Sequence, residues 1–148
     1  MNIGECKKGD TVVGICYRSP TADQIYDENL LEKIEKFASG NALIMGDLNY
    51  GDIHVEWDTL QAEKVNSKIF LNRMQDLFLT QHVGEPTRGK NFLDIVLSTE
   101  ANMVEDLEVR SPISKSDHCV ILWKLCVNTT VAGNNTKDLT IIRGNTVK

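Results

Sequence analysis

The sequence predicts an α/β layered fold, on three observations. Apolar, β-branched runs recur along the chain, and turn residues close each of them. Segments with helical spacing of apolar residues lie between the early runs. Long polar loops follow the strand ends, where ligand sites of such folds tend to lie. The chain has 148 residues, which suits one domain and allows roughly 70% of the unfolded surface to be buried.

Thr11 to Tyr17 (TVVGICY) lies between Gly9-Asp10 and Ser19-Pro20 and reads as a buried strand. Tyr26 to Ser39 reads as a helix with Leu30, Leu31, Ile34 and Phe37 on one face and Gly40 as its stop. Ala42 to Met45 is a second short strand, broken off at Gly46-Asp47-Leu48-Asn49. Tyr50 to Asp58 is an acidic loop. A helix is expected from Leu60 to about Gln75, with Val65, Ile69, Leu71 and Met74 toward the core. Phe78 to Val83 is a short extended piece, and Glu85 to Gly89 is a loop by its Pro and Gly. Phe92 to Ser98 (FLDIVLS) is a strand, Val104 to Val109 a weaker one, and His118 to Val127 a strong one after the polar loop Ser111 to Asp117. This divides the chain into a polar segment 1–10, a domain 11–127, and a polar tail or linker 128–148 in which Leu139 to Ile142 is the apolar exception.

The 41% apolar and 25% charged content is that of an ordinary soluble domain. No apolar run approaches the roughly 18 residues of a membrane helix, and Met1 to Asp10 lacks the apolar core of a signal peptide. A nuclear or cytoplasmic, non-secreted protein with no membrane partner is expected. Cys6, Cys16, Cys119 and Cys126 form no C-x-x-C pair, so reduced thiols are expected rather than a zinc site. A net charge of −5 argues against a protein that coats nucleic acid. It leaves room for a nuclease, whose site acids add negative charge that a bound cation offsets.

Few residues stand out for chemistry. Asp47 and Asn49 sit at the end of a buried strand, where they read either as a turn or as groups for a cation, a water or a phosphate. Asp117 and His118 stand together before the last strong strand, as a loop pair or as an acid-oriented imidazole. Asp94 interrupts an apolar strand, where a charge must be paired or bonded. Tyr17 and Arg18 close the first strand, either as a hydroxyl and a guanidinium suited to phosphate or as a tyrosine at the core boundary and a solvated arginine. His54, Glu56 and Asp58 read as a solvated loop, and His82 has no assigned role.

The order of these motifs carries more than any one of them. YR-x-P, then GDLN, then LDIVLS, then SDH before a terminal strand resembles the endonuclease/exonuclease/phosphatase superfamily. Leu77 to Val83, Glu85 to Gly89, Ser111-Pro112 and Lys115 to His118 narrow the resemblance to the endonucleases of non-LTR, LINE-type retrotransposons, over about Thr11 to Val127. The resemblance implies a DNase I-like fold of two packed sheets with outer helices, and Mg²⁺-dependent hydrolysis of DNA phosphodiesters. It assigns Asp47 to the attacking water, Asn49 to the phosphate beside it, and His118 to the scissile phosphate. It assigns Asp117 to the imidazole or the metal, and Tyr17, Arg18 and Asp94 to the phosphate side of the site, with Thr87 in support.

The family domain starts well before Thr11, and the glutamate that anchors its metal has no match between Met1 and Asp10. The expectation is therefore an incomplete α/β sandwich lacking the N-terminal strands, weak or inactive alone, that self-associates or takes a partner chain over its exposed sheet. The rivals are an active nuclease with Glu28, Glu56 or Asp58 as substitute ligand, and a domesticated, non-catalytic protein- or nucleic-acid-binding module.

Overall fold

A computed structural model of the chain describes residues 4–8, 10–56, 59–126 and 139–143. In chain order the elements begin β1 (Gly4–Lys8), β2 (Thr11–Tyr17), α1 (Gln24–Ala38), β3 (Ala42–Asp47), β4 (His54–Glu56) and β5 (Thr59–Gln61). They continue α2 (Val65–Asp76), β6 (Thr80–Gln81), β7 (Asp94–Ser98), β8 (Val104–Arg110), β9 (Val120–Leu125) and β10 (Leu139–Arg143). One sheet runs β1-β2-β3-β7-β6, a second β10-β9-β8, and β4 with β5 makes a small hairpin.

The sequence places β3 at the centre of the first sheet. All of its residues are buried, because a strand covered on both faces has no polar side to alternate to. Ile44 packs with Cys16, Leu30, Leu31 and Ile34 under α1. Leu43 and Met45 face the other way, with Val13 and Val96, against Ile121, Trp123 and Leu125 of β9. The result is three layers: helices, the five-stranded sheet, and the three-stranded sheet. This is the expected incomplete DNase I-like α/β sandwich.

The incompleteness is visible on β2. Val13 is covered, but Ile15 and Tyr17 on the same face are 54% and 57% exposed. An uncovered aliphatic side chain there forgoes about 1.5–3 kcal/mol of burial.

Helix α1 starts where Asp23 accepts the Tyr26 N–H at 2.8 Å, an N-cap. Helix α2 departs from its expected bounds and face. Leu60 lies in β5 rather than in the helix. Val65 and Ile69 are exposed, and Ser67, Phe70 and Met74 form the buried stripe. The stripe is hidden in the sequence because Ser67 is polar; its hydroxyl is satisfied by Asp52 at 2.6 Å. The same carboxylate accepts the Glu63 and Lys64 N–H groups at 3.0 and 2.7 Å. Asp52 thus caps α2 from a distance.

Two strands form outside the expected domain, β1 in the polar segment 1–10 and β10 on the apolar stretch of the tail. β1 pairs antiparallel with β2, and β10 antiparallel with β9. Ladder hydrogen bonds come from the backbone, so an edge strand needs little apolar signature. Among the described residues, no helix is long and apolar enough to cross a membrane.

Candidate active site

Three neighbouring strand ends carry Tyr17, Asp47 and Asp94. Tyr17 opposes Asp47 across β2 and β3, and Asp47 opposes Asp94 across β3 and β7. Opposed residues project to one face, here the face that carries Leu43, Met45 and Val96 into the inter-sheet core. The row therefore lies at one end of the core between the sheets. Gly46 lets the strands close up: a Cβ there would collide with the Cys16 carbonyl oxygen.

Asp47 and Asp94 are only 6% and 2% exposed. Two carboxylates set directly opposite repel, and their burial demands compensation. Some of it comes from His118, in the loop before β9 of the other sheet. Its Nδ1 lies 3.0 Å from Asp94 Oδ2, and its Nε2 lies 3.9 Å from Asp47 Oδ2. A proton on Nδ1, donated to the Asp94 carboxylate, orients the ring.

Thr87 joins the two chain segments that carry this pair. It is fully buried. Its Oγ1 accepts the Asp94 N–H at 3.1 Å and the Leu93 N–H at 3.3 Å, and its carbonyl accepts the Cys119 N–H at 2.7 Å. Next to it, Arg88 and Asn91 exchange two backbone hydrogen bonds around Gly89 and Lys90. Gly89 has φ of 59°, which is open to glycine at the first turn position of such a two-residue hairpin.

The other residues singled out in the sequence fall differently. Asn49, with φ of 50°, donates from Nδ2 to the Arg18 carbonyl at 2.9 Å and so ties the end of β2 to the end of β3. Arg18 is turned away from the row. Residues alternate faces along a strand, so it follows Tyr17 onto the helix side. There it is 5% exposed, with Nε and Nη2 on Asp27 at 2.5 and 2.9 Å. Its guanidinium also lies 4.1 Å from the Tyr50 ring centre. The guanidinium, expected on a substrate phosphate, here sits in a buried ion pair. Burial lowers the Arg18 pKa, but the hydrogen bonds and charge of Asp27 outweigh it and hold the group above its usual range.

Asp117 is also placed differently from its expected role. Asp94, not Asp117, holds the imidazole, and Asp117 is 64% exposed at its side chain and 2.5 Å from Arg88 Nη2. Neighbours in an extended loop need not share a direction, and these two do not. Glu28 and Glu56 are exposed and stand apart from the row; Asp58 lies outside the described residues. His82 packs instead of titrating in the site. Its Nε2 donates to Ser98 Oγ at 2.6 Å, and burial lowers its pKa.

Asp47, Asp94 and His118 are, among the described residues, the one set of three donors able to surround a metal ion, with ligand atoms within 4.8 Å of one another. Two carboxylates in mutual repulsion fit a hard divalent cation, which takes oxygen ligands. Burial, then the charges of Asp94 and Glu85, push the thiol pKa of Cys119, beside the row, up.

A family model described as endonuclease-reverse transcriptase matches residues 11–122. No curated protein matches the chain.

Proposed function

We propose that this chain, which belongs to the endonuclease-reverse transcriptase family of the endonuclease/exonuclease/phosphatase superfamily, supplies the acid–imidazole half of a site that hydrolyses DNA phosphodiesters. The observation that carries this is His118, resting on Asp94 and facing Asp47 at the ends of β3 and β7. Asp47 accepts a proton from the attacking water as its oxygen bonds to phosphorus. His118, in its imidazolium form with a proton on each ring nitrogen, donates from Nε2 to a phosphoryl oxygen and stabilises the charge that develops there as the P–O bond to the leaving alkoxide breaks. Asp94 keeps the Nδ1 proton in place throughout. Tyr17 at the end of the row and Asn49 beside it contact the phosphate.

Asp47 and the adjacent Asp94 carboxylate would hold a Mg²⁺ ion, which when bound supplies Lewis-acid neutralisation of the phosphoryl oxygens. Mg²⁺ prefers six oxygen ligands in a strict geometry. The described residues offer two carboxylates, one of them engaged by His118, so activity of the chain by itself is weak.

Nicking of supercoiled plasmid with Mg²⁺ tests this. Slow nicking by the wild type, falling by about 10²–10⁴-fold in His118→Ala and similarly in Asp47→Ala, is expected. Nicking that survives in both variants would place the chemistry elsewhere. Salt-sensitive DNA binding with no cleavage under any divalent ion would favour the non-catalytic module.

A further inference from the structure

The rim of the site holds an ion pair that the chemistry above does not use. Arg88 follows Thr87, whose hydroxyl receives the Asp94 N–H. Asp117 precedes His118, whose ring rests on Asp94. Each partner is thus one residue from the braced unit, and they meet at 2.5 Å with side chains 46% and 64% exposed. The hairpin and the loop that present them also carry Lys90 and Lys115, both exposed, in a chain of net charge −5.

We propose that Arg88 is a second ligand for the substrate backbone, held on Asp117 until a phosphate displaces that carboxylate. The inference rests on the site being one that binds DNA phosphates. A guanidinium presents the same planar fork to a carboxylate and to a phosphate, so a phosphate replaces Asp117 without remodelling the hairpin. An ion pair this exposed contributes little to folding, so its exchange costs little. The contrast with Arg18 is direct: that guanidinium is buried and paired with the equally buried Asp27. Asp117 is then a competitor for Arg88, and removing its charge frees the arginine.

Fluorescence anisotropy of a short labelled duplex, with Ca²⁺ in place of Mg²⁺ to prevent cleavage, reads this out. Arg88→Ala is expected to weaken binding about 5–10-fold and to reduce the salt slope by about one. Arg88→Lys recovers part of the affinity. Asp117→Asn tightens binding a few-fold, and the gain disappears in the Arg88→Ala background. Melting curves of these exposed variants overlay the wild type. Asp117→Asn weakening binding as Arg88→Ala does would overturn the competition and leave a merely structural pair. Binding that is lost in His118→Ala but unchanged in Arg88→Ala would overturn the Arg88 proposal while sparing the site. No binding by the wild type would overturn both.

Discussion

The two faces of the first sheet end differently at the same strand termini. Toward the helices, Arg18 and Leu48 turn inward, and the arginine is sealed on Asp27 beneath Tyr50. Toward the second sheet, their neighbours Tyr17 and Asp47 project beside Asp94 and His118, Tyr17 exposed and Asp47 buried. One residue of alternation separates a guanidinium in a buried ion pair from side chains on the face of the second sheet. The helix side closes because α1 and α2 cover it. The other side stays open because the second sheet stops short, leaving Ile15 and Tyr17 bare.

The largest effect that could break this contrast lies at Arg18. Arg18→Ala leaves the Asp27 carboxylate, 5% exposed, without its guanidinium, and a loss of about 3–5 kcal/mol in denaturant unfolding is expected. A loss below about 1 kcal/mol, with weakened DNA binding instead, would make Arg18 a ligand residue after all and erase the distinction between the faces.

A smaller effect sharpens the helix side. Burial raises the Asp52 pKa, but hydrogen bonds from Ser67 and from the Lys64 and Glu63 N–H groups outweigh it and hold the carboxyl below its ordinary 3.8. A depressed carboxylate stabilises the fold fully above its unfolded pKa, and that stability is lost as pH falls through the folded one. Stability should therefore be level in this respect above about pH 4 and fall below it. Asp52→Asn should cost about 1 kcal/mol at neutral pH, as a lost helix cap does, and flatten the acid limb. Unchanged urea midpoints from neutral pH downward would remove Asp52 from the role of cap.

The sheet strands were legible because burial on one or both faces writes itself in apolar residues: Thr11–Tyr17, Ala42–Met45 and the core of FLDIVLS all lie in the strands observed. Asp94 was legible as an anomaly, a charge where none belongs. Its partner was not, because His118 is 24 positions away and arrives from the other sheet. Adjacency drew attention to Asp117, whose side chain leaves in another direction to meet Arg88. The pairing of Tyr17 with Arg18 failed for the same reason, since consecutive strand residues face opposite ways. The α2 face was obscured by a buried serine whose hydroxyl is satisfied by Asp52. Strand β1 was hidden because edge pairing uses the backbone, whereas β10 lies on the apolar stretch Leu139 to Ile142.

The central claim is that Asp47, Asp94 and His118 act as one unit around a divalent cation. Titration with Mn²⁺, followed by paramagnetic broadening of assigned NMR signals, tests it most directly. Signals of Asp47, Asp94 and His118 should broaden first, and Asp47→Asn should abolish this early phase. Broadening centred on Glu28, Glu56 or Asp117, with His118 still sharp and Asp47→Asn without effect, would contradict it.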